Sequence, residues 1–98
     1  VIAWGEFGRT PKVNNNRGRD HYPSVFSAAV AGGPVKGGRV VGSSDSKGAF
    51  PLDNPKSPQD VLATMYRFLG IDIDKHYLDH AGRPNKTLPF GKPIDELA

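Results

Sequence analysis

Apolar residues along the chain fall in short runs separated by long polar stretches, and one run carries a helical period. Val1-Ile2-Ala3-Trp4 is continuously apolar, which predicts a short strand buried on both faces. Gly5 to Pro23 is polar, with Asn14-Asn15-Asn16 as its tip, and predicts a long loop. Loops of that length without structure of their own are usually functional or disordered. Ser24–Ala31 is the second apolar run. Val25, Phe26 and Val30 favour a strand there, while the alanines leave a helix open. Gly32-Gly33-Pro34 stops the run, Gly37-Gly38 marks another turn, and Arg39–Gly42 predicts a short strand or hairpin arm. Residues 43–56 predict a polar loop.

The helical period begins after Ser57. Ser57 suits an N-cap, Pro58 suits the first helical position, and Asp60 three residues on is close to a capping box. Val61, Leu62, Met65, Phe68 and Leu69 follow on one face, and Gly70 suits the position just past the end. The pattern therefore predicts an amphipathic helix over about residues 57–69, with Met65 and Tyr66 as core or flank. Residues 71–98 predict irregular structure, with Lys86–Pro93 as an extended arm and Ile94–Leu97 as a last turn.

Composition changes this picture in one respect. The chain has 98 residues, 37% of them hydrophobic, with twelve Gly and nine Pro. A domain of this size buries only roughly 60–65% of the surface its unfolded chain exposes. So small a core among so many turns suits a single partial domain over residues 1–98, one that leans on a larger parent sheet. The start inside an apolar run, without Met, adds to the expectation of a C-terminal fragment of a larger enzyme.

Charge is uneven. Residues 1–40 hold six Lys/Arg against two Asp/Glu, while residues 41–98 hold seven against eight. A basic first part suggests an anionic partner, either a small oxoanion or a polyanion, beside the plainer reading of a solvated surface. Aromatic residues are not interleaved with the cations, as single-stranded nucleic acid would require, so no nucleic-acid partner is expected. Absence of Cys excludes thiolate catalysis, Cys-ligated zinc and disulfides within these residues. No apolar stretch approaches the ~20 residues of a membrane-spanning helix.

Candidate chemistry gathers just past the first strand, where open α/β sheets collect ligand-binding groups. Asp20-His21 offers an imidazole beside a carboxylate. That pair could contribute to a divalent-metal site or to acid–base chemistry, or His21 could simply cap a neighbouring carbonyl. Glu6, at the strand end, could bind a metal, hold a catalytic histidine or pair with Arg9. Arg9, Lys12, Arg17 and Arg19 crowd the same loop. The planar Arg fork suits sulfate, phosphate or carboxylate, with Arg9 nearest the strand end and Lys12 and Arg17 reading as solvated charge. Gly32–Gly38 lacks the Gly-Lys-Ser/Thr ending of a phosphate loop, and residues 43–48 lack nucleophile-elbow spacing. His76 and His80 read as surface residues.

Four motifs, Glu-Phe-Gly-Arg-Thr-Pro (6–11), Gly-Arg-Asp-His-Tyr-Pro (18–23), Ala-Gly-Gly-Pro-Val-Lys-Gly-Gly (31–38) and Ser-Pro-Gln-Asp-Val-Leu-Ala-Thr-Met-Tyr (57–66), occur in this order. Together they resemble the C-terminal part of the domain of unknown function 1501 family, abundant in planctomycetes and related bacteria and belonging to the alkaline phosphatase and sulfatase superfamily. The resemblance covers nearly the whole chain. It implies an α/β fold: the C-terminal fragment of an alkaline-phosphatase-like three-layer fold, with a mostly parallel sheet, short strands, one clear helix and long loops.

It further implies a metal-dependent hydrolase of phosphate or sulfate esters, inactive as the fragment alone, whose nucleophile lies upstream. A divalent metal such as zinc would be held by His21 and Glu6. Arg9 would stabilise oxoanion charge, and Asp20 would orient His21. The substrate would be an anionic small molecule or glycan. Export to the periplasm is a family-level expectation. The sequence departs from the superfamily pattern at Phe7, which stands where a ligand histidine would follow the strand-end acid. That departure motivates the alternative, a non-catalytic domain of the same fold binding an anionic glycan or protein partner.

Overall fold

The computed structural model describes residues 1–97 and divides into two compact units, Val1–Pro55 and a second that starts at Lys56. The architecture is a small mixed one, consistent with α/β. It has one α-helix and, among the described residues, four two-stranded sheets, all antiparallel.

In the first unit, β1 (Ile2–Trp4), β2 (Gly8–Arg9), β3 (His21–Tyr22) and β4 (Ala28–Val30) are nested. β1 pairs with β4, with Ile2 opposite Val30 and Trp4 opposite Ala28. β2 pairs with β3 inside that connection, so the stretch expected as a long loop is a hairpin that projects from the β1–β4 pair. The Asn14–Asn16 tip is where the sequence puts it. Asn14 Oδ1 accepts from the backbone N–H of Asn16 and of Gly18, a side chain standing in for backbone turn bonds. Gly8 is needed at the root of the hairpin, because a β-carbon there would collide with the carbonyl oxygen of Val25.

Two expectations are corrected in this unit. β1 is not buried on both faces: Ile2 is half-buried, Ala3 is exposed and Trp4 is 41% exposed. An apolar run specifies burial only where something packs on it, and the β4 residues opposite Ala3 and Trp4 are alanines with little side chain to offer. Arg39–Gly42 is not a strand. Gly42 has φ +80°, outside the extended region, and pairing starts one residue later with β5 (Ser43–Ser44) against β6 (Pro51–Asp53). The predicted polar loop over 43–56 thus contains a hairpin, closed by Asp45. The Asp45 backbone N–H donates to Phe50 O at 2.9 Å, and its carboxylate accepts from the Ala49 N–H at 2.8 Å.

The second unit is built on α1 (Pro58–Phe68), which starts and stops as the sequence predicts. Ser57 Oγ accepts from the Asp60 N–H, and Asp60 Oδ2 accepts from the Ser57 N–H at 2.8 Å. At the other end, Ile71 N–H donates to Tyr66 O and Gly70 N–H to Arg67 O, with Gly70 at φ +73°. That is a Schellman closure.

The buried face of α1 is a correction. Ala63 and Thr64 are buried, whereas Val61, Leu62, Met65 and Phe68 are half-buried and Leu69 is 67% exposed. The helix is held by the segment 91–95 through a row of contacts. Asp60 Oδ1 accepts from Lys92 N–H, Thr64 Oγ1 accepts from Ile94 N–H at 2.7 Å, and Arg67 pairs with Asp95. This face combines a small residue with polar ones that bond backbone, so an apolar count passes over it. Leu88 and Ile94 complete the core of this unit. Residues expected to be irregular form a hairpin, β7 (His76–Leu78) with β8 (Pro84–Lys86), followed by a 3-10 turn at Asp95–Leu97.

Candidate functional site

The residues singled out from the sequence lie on the β2–β3 hairpin and the bend before it. Arg9 and His21 are direct cross-strand partners. Opposed residues of an antiparallel pair share one face, and Phe7, two residues before Arg9, shares it too. The Phe7 and His21 rings lie 4.2 Å apart between centroids, tilted by 37°. The Arg9 guanidinium carbon stands 6.0 Å from the Phe7 centroid, and Arg9 donates to Arg19 O at 3.3 Å. The result is an exposed face carrying a guanidinium and an imidazole, with Phe7 beneath as a spacer.

This arrangement decides several readings left open by the sequence. His21 is a strand residue stacked on Phe7, not a loop residue capping a carbonyl. Arg9 makes no ion pair with Glu6 among the described residues, and Glu6 lies exposed in the bend between β1 and β2. Asp20 takes Asn14 Nδ2 as its partner at 3.1 Å, and no hydrogen bond joins it to His21 among the described residues. Successive residues of an extended chain point to opposite sides, which separates Asp20 from its neighbour.

Several side chains to which the sequence assigns no supporting role hold this hairpin in place. Thr10 is bonded to Asp20 twice, through its backbone N–H to Asp20 O and through Oγ1 accepting from Asp20 N–H. Arg19 donates to the carbonyls of Thr10 and Pro11, which closes the loop behind the strands. The Tyr22 phenol donates to Ala49 O at 2.7 Å, and Ala49 is itself held by Asp45. Only Asn14, in its Asn triplet, carried a local signal. The others depend on register.

A family model described as a protein of unknown function, DUF1501, matches residues 1–98. The chain belongs to the DUF1501 family. No curated protein and no solved structure matches it. In this DUF1501 chain, the described residues contain no group of three or more His, Asp or Glu able to hold a metal ion. Glu6 and His21 number fewer than the three or four protein ligands of a zinc site. His76 and His80 are both exposed, in line with the surface reading. A shallow groove of about 310 Å³ lies in the second unit, lined by Ala63, Arg67, Ile71, Ile73 and Pro93 among others, and none of the candidate site residues borders it. No helix of the described residues is long and apolar enough to cross a membrane.

Proposed function

We propose that this chain supplies the oxoanion-recognition part of a phosphate- or sulfate-ester hydrolase of the alkaline phosphatase superfamily. The observation that carries the reading is the Arg9–His21 pair on one exposed face of a short ladder. A guanidinium binds tetrahedral oxoanions through a two-pronged fork, and a fixed cation at developing negative charge is a large term in ester hydrolysis. Arg9 is the clamp in this reading. His21, with Glu6, joins a divalent-metal site only with further ligands from outside residues 1–98. A metal there would supply Lewis-acid polarisation and an activated nucleophile. Asp20 acts through the Thr10–Asn14 loop, which sets where β3 begins, and the protein is exported.

The test uses the native protein that contains these residues. Metal content by plasma mass spectrometry, wild type against His21→Ala, is measured beside turnover of an aryl phosphate and an aryl sulfate. A stoichiometric metal lost in His21→Ala, with turnover reduced by about 10²–10³ in Arg9→Ala, supports the reading. Absence of both metal and turnover in wild type purified without chelators overturns it.

The second reading is a non-catalytic domain that binds an anionic partner through the same face. Phe7 favours it, because an aromatic ring packs on His21 at the position where the superfamily places a metal-binding histidine. Oxoanion binding that depends on Arg9, without metal and without turnover, selects this second reading.

A further inference from the structure

Arg9 and Arg19 each donate to the backbone of the other's arm of the β2–β3 hairpin. Arg9 Nη1 donates to Arg19 O at 3.3 Å, and Arg19 Nη1 donates to Thr10 O at 3.0 Å and to Pro11 O at 3.1 Å. The ladder between the two arms ends in an irregular rung. Thr10 N–H donates to Asp20 O at 3.0 Å, as an antiparallel rung requires, but Asp20 N–H returns to the Thr10 hydroxyl at 3.1 Å rather than to Thr10 O. The same hydroxyl donates its proton to Lys12 O at 2.9 Å, which leaves its lone pairs for Asp20. Thr10 O is thereby left without its ladder donor, and the Arg19 guanidinium supplies one.

Neither arginine has a carboxylate partner among the described residues. Both charges are held by neutral carbonyls and so remain uncancelled. Arg9 uses Nη1 on Arg19 O and has five N–H donors in all. Its Nε and Nη2 donate to nothing among the described residues, and these adjacent groups form an edge that a tetrahedral oxoanion can take in two parallel bonds. The Phe7 ring flanks the guanidinium, with its centroid 6.0 Å from the guanidinium carbon. Arg19 O therefore selects which edge of Arg9 stays open. The Arg19 side chain, tied to the two residues that follow Arg9, fixes where that carbonyl sits.

We propose that Arg19 is a positioning residue: it holds the Arg9 guanidinium with the Nε–Nη2 edge turned to the oxoanion. The proposal rests on the oxoanion role of Arg9 given above. Arg19 acts through Arg9 and does not touch the ligand, because its own Nη1 is committed to Thr10 and Pro11. A fork set in advance binds more tightly than a freely rotating one, since less side-chain freedom is lost on binding. A brace that only closed the hairpin would change stability and leave the contribution of Arg9 to binding as it was.

The experiment is a double-mutant cycle on the native protein that contains these residues, read by calorimetric binding of inorganic phosphate and inorganic sulfate. It compares wild type, Arg9→Ala, Arg19→Met and the double variant. Arg19→Met should lower affinity about ten-fold when Arg9 is present and at most about two-fold in the Arg9→Ala background, where only a screened charge is removed. Arg19→Lys can bring an ammonium to the same carbonyls and should keep affinity within about three-fold of wild type. The Arg9 Nε–H resonance, assigned by its loss in Arg9→Ala, should move in Arg19→Met and return in Arg19→Lys. Thr10→Val changes no charge, removes the hydroxyl of the irregular rung, and should move the same resonance while weakening binding about three-fold. Equal losses from Arg19→Met in both backgrounds, or an Arg9 resonance unmoved by Arg19→Met and Thr10→Val, overturn the proposal, while Arg9-dependent binding leaves the oxoanion reading intact. Wild type that binds neither anion, with an Arg9 resonance still governed by Arg19, overturns the oxoanion reading and supports the positioning of Arg9 by Arg19.

Discussion

Phe7 and His21 pack ring on ring across the β2–β3 hairpin, with centroids 4.2 Å apart. The stack limits how the imidazole can turn and fixes the face it shows beside Arg9. Such a pair contributes about 0.5–1.5 kcal/mol beyond the area it buries. Phe7→Ala should therefore move the His21 ring-proton resonances downfield, as the aromatic shielding is lost, and weaken oxoanion binding without removing Arg9. Unshifted His21 resonances in this variant would show that the stack does not persist in solution.

Tyr22 ties the same hairpin to the loop closed by Asp45. Its phenol is half-buried and donates to Ala49 O at 2.7 Å. Tyr22→Phe should cost about 0.5–1.5 kcal/mol of stability, read as a lower urea midpoint, because a backbone carbonyl loses its donor. Asp45→Ala should cost at least as much, since it removes the acceptor that holds the Ala49 N–H. If Tyr22→Phe unfolds at the wild-type urea concentration, the bond is not formed in the folded protein.

How far the sequence reached depends on whether a feature is local. The helix over 58–68, its Ser57–Asp60 box and the Gly70 stop were legible because each signal acts within four residues of its cause. The family was legible because its motifs are contiguous. Pairing of Arg9 with His21 was not, because register joins residues twelve positions apart and no alternation marks strands of two residues. The hairpins at 43–53 and 76–86 escaped for the same reason: Ser-Ser, Pro-Leu-Asp and Pro-Asn-Lys carry no strand pattern. The buried helix face was misread because Thr64 looks polar until its hydroxyl is seen to serve two backbone groups.

That hydroxyl gives a sharp test of the second unit. Thr64 Oγ1 donates to Asp60 O at 2.8 Å and accepts from the buried Ile94 N–H at 2.7 Å. Thr64→Val keeps the shape and leaves that N–H without a partner, at a cost of about 1–3 kcal/mol. Thr64→Ser keeps the oxygen and should recover most of the loss. Equal destabilisation by Val and Ser would mean that packing of the methyl group, not the hydrogen bond, holds residues 91–95 to the helix.

Asp60 makes that attachment sensitive to acid. Partial burial raises its pKa, but backbone N–H donors from Lys92 and Ser57, the Ser57 hydroxyl and the nearby Lys56 charge outweigh it, so the carboxyl titrates below its usual value of 3.8. A folded pKa below the unfolded one means that the unfolded chain binds the proton more readily. The stabilisation is therefore complete above the unfolded pKa, near pH 5 and higher, and is lost as pH falls below about 4 toward the folded value. Asp60→Asn keeps the shape but not the charge, and should cost about 1–2 kcal/mol at pH 6, as a lost charged cap does. The gap in urea midpoint between wild type and Asp60→Asn should close as pH is lowered from 6 to 3, because protonation makes the two side chains alike in charge. A gap that stays constant across this range would show that Asp60 acts through shape alone, and that its carboxylate charge contributes nothing to joining the helix start to the segment at Lys92.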